Sequence, residues 1–134
     1  MDSTRFDVSF PHAADVDDPV QVIQVYLREV RAVPPLRKDQ EIELSRHVLA
    51  NDPQAKSAGK TLVEANLAMV VSIAERYPCR NMHFLDLVQK GNDGLLFALK
   101  TFPDHPDQSF STYAAACVDA AIVKAIAESE PLTE

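Results

Sequence analysis

The chain is expected to fold as an all-α bundle of about five helices, and three observations on its 134 residues predict this. Apolar residues recur at steps of three and four through most of the sequence, the pattern of helices that bury one side. Nine prolines against three glycines, with 46% hydrophobic and 7% aromatic residues and no tryptophan, suit helices parted by proline-marked turns. No alternating strand pattern, internal repeat or low-complexity segment emerges. At this length a single core buries about two-thirds of the unfolded surface. Residues 18–128 are therefore expected to form one helical domain between an N-terminal arm, 1–17, and a tail, 129–134.

The arm carries Asp2, Asp7, Asp15 and Asp17 among small and polar residues, a composition that does not repay the entropy of ordering. Asp18 followed by Pro19 is a helix-start signal, a capping carboxylate and then a proline whose missing N–H is harmless in the first turn. Val22, Ile23, Tyr26, Leu27 and Val30 give that helix one apolar stripe up to about Val33, and Pro34 and Pro35 end it. A second helix is expected over Arg37–Ala50, burying Ile42, Leu44 or Ser45, Val48 and Leu49, with Glu41 and Glu43 in water. Asn51, Asp52 and Pro53 open a long third helix to about Tyr77. Its inward side holds Leu62, Asn66, Met69, Val70, Ile73 and Tyr77, with Gly59 a weak point costing about 1 kcal/mol relative to Ala.

Pro78 to His83 read as a turn. A fourth helix over Phe84–Lys100 buries Leu85, Val88, Leu95 and Leu99, with Phe102 closing the row. Pro103, Asp104, Pro106 and Asp107 make a polar loop, and Ser109 or Ser111 caps a fifth helix reaching about Ala127. Its alanines, Ala114 to Ala116, Ala120, Ala121, Ala125 and Ala127, suggest a close helix contact. Self-association through 111–127 is one form that contact can take.

The formal net charge is −7, with 20 acidic and 13 basic residues that form no obvious basic cluster, which argues against a nucleic-acid surface. Cys79 and Cys117 stand apart, with no CxxC and no histidine at ligand spacing, so no disulfide framework or metal site is indicated. His12, His47, His83 and His105 are scattered, and Gly91 and Gly94 sit mid-helix and not in a phosphate loop. No catalytic residue or cofactor is assigned, and the chain is not expected to be an enzyme. The start lacks a signal peptide, and no apolar run is expected to span a bilayer, so the chain reads as cytoplasmic.

One helix face stands out. On the fourth helix Asp86, Gln89, Asp93 and Leu96 share a side distinct from the buried row, and Asn92 borders it. Leu96 and Phe97 place apolar groups beside these hydrogen-bonding residues, the ingredients of a protein interface. A cation bound by Asp86 and Asp93 would need more oxygen ligands than one helix face offers.

The stretch Leu62–Phe102 resembles region 2 of the bacterial sigma factors, the promoter-recognition subunits of RNA polymerase. Asp18, Pro19, Val20 and Tyr26 to Val30 resemble that family's region 1.2, with roughly three residues inserted between the two parts. The resemblance implies that the fourth helix docks on the coiled coil of the large clamp subunit of core RNA polymerase. Asp86, Gln89 and Asn92 agree with the family there, Lys90 replaces its usual glutamate, and Leu96 stands where methionine or a similar residue is common. The fifth helix would be the strand-opening one, and Phe110, Ser111, Thr112, Tyr113 and Ala114 match its start. The match then stops. Ala116 and Cys117 occupy the positions of two tryptophans, and Asp119 and Ala120 those of a basic residue and a base-reading glutamine. Pro103 to Gln108 replaces a loop rich in basic and aromatic residues. Single strands are held by stacking of about 1–3 kcal/mol per base and by a positive groove. Between Thr101 and Val123 there are three aspartates and no Lys or Arg. Phe110, Thr112, Tyr113 and Lys124 are thus the only candidates for DNA contact, with weak or absent binding expected. The alternatives are a divergent working sigma factor and a helical scaffold for an unrelated protein.

Overall fold

The structure is a computed structural model that describes residues 19–78, 81–105 and 107–129. Its described residues form six α-helices and no strand. In chain order they are α1 (Pro19–Ala32), α2 (Lys38–Ala50), α3 (Ala55–Ala65), α4 (Leu67–Ala74), α5 (Phe84–Thr101) and α6 (Phe110–Ser129), with a 3-10 turn at Phe102–Asp104. The chain divides into two compact units, Met1–Ala68 and Met69–Glu134. The expected arm and tail, the Asp18 cap, Cys79 and Pro106 lie outside the described residues.

In the first unit α1 runs without interruption, and Tyr26 and Val30 of its stripe are fully buried. α2 starts where the sequence places it. Arg37 is the N-cap, and its backbone N–H donates to Gln40 Oε1 at 2.9 Å in a capping box. The buried side of α2 matches the expected one at Leu44, Ser45 and Val48 but not at Ile42 and Leu49. Ile42 is 57% and Leu49 38% exposed, while Ser45 is buried. The inward row follows Glu41, Leu44, Ser45 and Val48 at steps of three, one and three, about 100° of helix rotation away from Ile42 and Leu49. Glu41, expected in water, is half-buried with that row.

α2 packs on α3 as a helical hairpin. Asn51 takes the left-handed conformation (φ 52°) that closes α2, one of the few non-glycine residues suited to it. Asp52 then accepts from the Gln54 N–H at 2.9 Å and from His47 Nδ1 at 2.6 Å, and His47 Nε2 lies 3.3 Å from Glu43. The His47 contact holds the Asp52 carboxyl below the usual range, and the Arg46 hydrogen bond does the same for Glu43. Residues 51–54 are therefore a turn, and the third helix begins later than Asn51. It is also broken. Asn66 turns its side-chain N–H back onto Leu62 O at 2.7 Å and leaves helical geometry (φ −107°, ψ 4°), so α3 and α4 are separate.

In the second unit α5 and α6 pack along each other. The two glycines of α5 set their separation. A Cβ on Gly94 would lie 2.8 Å from both Ala121 Cβ and Cys117 O, and one on Gly91 would lie 2.7 Å from Val70 Cγ1 and 3.1 Å from Ile122 Cδ1. The alanine-rich helix thus finds its close contact on α5 of the same chain, with Ala114, Val118, Ile122 and Ala125 turned inward. α5 buries Leu87, Val88, Leu95 and Ala98, whereas Leu85 and Leu99, expected inside, are half-exposed. Phe102 and Phe110 are fully buried and meet edge to face at 5.4 Å and 86°, contributing about 1 kcal/mol beyond their area. Ser109, and not Ser111, caps α6, its Oγ accepting the Thr112 N–H at 3.2 Å.

Candidate functional site

α5 begins at the N-cap His83 and places Asp86 in its first turn, where a carboxylate complements the helix dipole. With the hydrophobic row turned toward α6, the opposite side carries Asp86, Gln89, Lys90 and Asp93 in full exposure and Leu96 half-exposed. Five of the six expected interface residues therefore lie on one accessible face. The sixth does not. Asn92 is 1% exposed, because it stands four residues after Val88 and three before Leu95, on the buried row. The apolar row Leu85, Val88, Leu95 and Leu99 alone does not reveal this, because α5 has a second inward row, Leu87, Gly91, Gly94 and Ala98, half of it glycine. Phe97, expected beside this face with Leu96, is 56% exposed.

The other candidate surface is the start of α6. Phe110 is buried and serves the core. Tyr113 is half-buried, and its hydroxyl shares a 2.6 Å hydrogen bond with Thr101 Oγ1. The His105 ring stacks on it at 4.5 Å and 26°, and Phe102 lies at 6.4 Å. His105 is fixed in turn by its N–H donating to Phe102 O at 2.8 Å. A base approaching Tyr113 thus meets a ring face already occupied by the chain itself. Thr112 and Lys124 are exposed, and Lys124 is the one Lys or Arg on α6. Asp119 is half-buried and accepts a hydrogen bond from the Tyr77 hydroxyl, which pushes the Tyr77 phenol up from its ordinary pKa.

Among the described residues no group of three or more His, Cys, Asp or Glu is placed to hold a metal ion, and Cys117 is a free, half-buried thiol. One expectation needs correction. α6, with 20 residues, is long and apolar enough by length and composition to cross a bilayer. Its inward row is instead committed to α5, and Asp119, Lys124 and Glu128 interrupt its other sides.

Comparison with known proteins matches this arrangement to a family. Residues 62–130, more than half of the chain, fit the model of sigma-70 region 2, and residues 22–54 fit that of sigma-70 factor region 1.2. The chain belongs to the sigma-70 family. It is 44% identical over 122 residues to the RNA polymerase sigma factor SigA of a Bacillus species, an alignment covering 91% of this chain and 31% of that protein. SigA of Clostridium acetobutylicum is 44% identical over 128 residues, covering 96% and 32%. SigA of Listeria monocytogenes is 44% identical over 122 residues. The sigma-70 chain described here spans about a third of the length of these curated relatives. The two matched regions put α5 and α6 inside region 2, and α1 and α2 inside or beside region 1.2.

Proposed function

We propose that this sigma-70 family chain binds core RNA polymerase through the outer face of α5, on the coiled coil of the large clamp subunit, and modulates transcription initiation in the cytoplasm without opening promoter DNA itself. The observation that carries this reading is the exposure of Asp86, Gln89, Lys90 and Asp93 on one side of a helix whose other side is packed. Lys90 reverses a family charge, but a screened rim charge is worth under about 1 kcal/mol. The loss of strand opening is supported by α6, where small residues replace stacking rings and Tyr113 is covered by His105. Phosphate contacts release counterions and drive nucleic-acid binding, and the loop before α6 offers Asp104 and Asp107 instead.

Affinity for core polymerase and for the isolated clamp coiled coil, compared between wild type and Asp86→Arg, tests the docking. Binding that Asp86→Arg abolishes supports it, and no binding by the wild type ends it. The rival, a divergent working sigma factor, calls for micromolar affinity for single-stranded promoter DNA with a steep salt dependence, read by fluorescence anisotropy at low salt.

A further inference from the structure

We propose that Phe97 is the aromatic anchor of the α5 surface and that, together with Asp93, it receives an arginine from a partner helix; this rests on the polymerase-docking reading. The outermost row of α5 is Asp86, Lys90, Asp93, Phe97 and Lys100, at steps of four, three, four and three, and every member is exposed. That spacing keeps one straight seam on a helix and is the geometry by which a second helix packs along it. The row runs one position to the side of the Gln89 and Leu96 row, so its apolar contribution comes from Phe97, while Leu96 is half-covered by its own chain.

The fold does not call for a phenylalanine there. Its ring stands in water, the inward rows of α5 are complete without it, and an aromatic residue is a poorer helix former than Lys, Glu or Ala. Asp93 lies one turn before it and Lys100 one turn after. A carboxylate one turn from an exposed ring face fits a guanidinium, which pairs with the acid through two N–H groups while its plane lies on the ring. Lys90 and Lys100, ten residues apart and so about 15 Å along the axis, call for carboxylates on either side of that arginine. The occupant is thus a helix with one arginine between two acids, supplied by the clamp coiled coil. A second copy of α5 does not meet this description, since α5 contains no arginine, and a phosphate backbone would face Asp86 and Asp93.

The test uses the whole chain and core RNA polymerase, with affinity read by biolayer interferometry for wild type, Phe97→Ala, Phe97→Tyr, Asp93→Ala, the Phe97→Ala/Asp93→Ala double variant and Asp86→Arg. Phe97→Ala is expected to weaken binding by about tenfold or more with an unchanged melting temperature, and Phe97→Tyr, which keeps the ring, retains the binding that alanine loses. The double variant should lose less than the sum of the two singles, because one arginine serves both groups. If Phe97→Ala binds as tightly as wild type while Asp86→Arg abolishes binding, the anchor is wrong and polymerase docking stands. If wild type does not bind core polymerase, both fall. If Phe97→Ala instead dissolves a wild-type dimer in sedimentation and leaves core binding intact, the seam belongs to a second copy and the inference is overturned.

Discussion

α5 and α6 are neighbours of similar length, 18 and 20 residues, and each turns a packed row toward the other, yet their outer sides have opposite chemistry. α5 shows water two aspartates, two lysines, a glutamine and a phenylalanine from Asp86 to Lys100. α6 shows Thr112, Ala116, Ala120, Val123 and Ala127, with Lys124 and Glu128 beside them. The difference teaches that the outer side of a helix can vary in chemistry while its packed row keeps it in place. The inward positions of α6, Phe110, Ala114, Val118, Ile122 and Ala125, recur at steps of four and three, and Thr112 and Lys124 fall between them. The inward spacing of α6 lies within the family match over residues 62–130 whatever its outer side carries.

The largest expected effect breaks the separation at its inner side. If Phe110 belongs to the core, Phe110→Ala costs about 3–5 kcal/mol, seen as a large fall in melting temperature, because a fully buried ring in contact with Phe102 is removed. A ring kept for DNA would be lost at almost no cost in stability. Next comes the helix spacing. Gly94→Ala improves helix propensity by about 1 kcal/mol. It also forces a methyl group to within 2.8 Å of the Cys117 carbonyl oxygen, a backbone atom that cannot swing away, and overpacking of this kind costs roughly 1–3 kcal/mol. Net destabilisation on chemical denaturation is expected. A net gain would mean that α5 and α6 are not held together as tightly as the comparison requires.

Most of the fold was legible in the sequence because apolar spacing and turn residues report on burial directly. The starts of α2 and α5 and the cap of α6 fall where Arg37, His83 and the serines put them. What escaped depended on partners. Asn66 was placed inward, but nothing local told whether its amide would serve a neighbour or turn back on Leu62 O and break the helix. Ile42 and Leu49 look like core residues until the position of α3 is known, and that position is set in part by a turn in which Asp52 clamps His47. At the site, the exposure of Asp86, Gln89 and Asp93 followed from periodicity, whereas the ring of His105 on Tyr113 is a contact across a loop that no spacing rule describes.

A smaller effect sharpens the comparison from outside. Ala116 and Ala120 are exposed, so Ala116→Trp with Ala120→Arg returns one ring and one cation to α6 without touching its packed row. One stacked base contributes about 1–3 kcal/mol, and the Asp104 and Asp107 carboxylates nearby in sequence keep the gain at the lower end. Anisotropy with single-stranded DNA at low salt should show a gain of roughly fivefold from the restored ring, with the arginine an added cation where the family carries glutamine. No gain would mean that the neighbouring surface, and not the missing side chains, excludes DNA.

The smallest effect concerns Asp119, which opposes DNA by its charge and also accepts the Tyr77 hydroxyl. That bond exists only while the phenol keeps its proton, which is why the Tyr77 pKa is raised above 10.0, first by the hydrogen bond and then by burial and by the carboxylate charge. A pKa raised on folding means that the contribution to stability is complete below the unfolded phenol pKa and fades as pH climbs through the folded value. Wild type should therefore lose thermal stability above about pH 10 more steeply than Asp119→Ala. In a tyrosinate absorbance titration one of the three tyrosines should move down toward its ordinary pKa in the variant. An unchanged titration would show that the carboxylate has no partner in Tyr77 and stands free on α6 as a repulsive charge. The acid would then act against DNA alone, with no part in packing, and the contrast between the outer sides of α5 and α6 would rest on charge as much as on the missing rings.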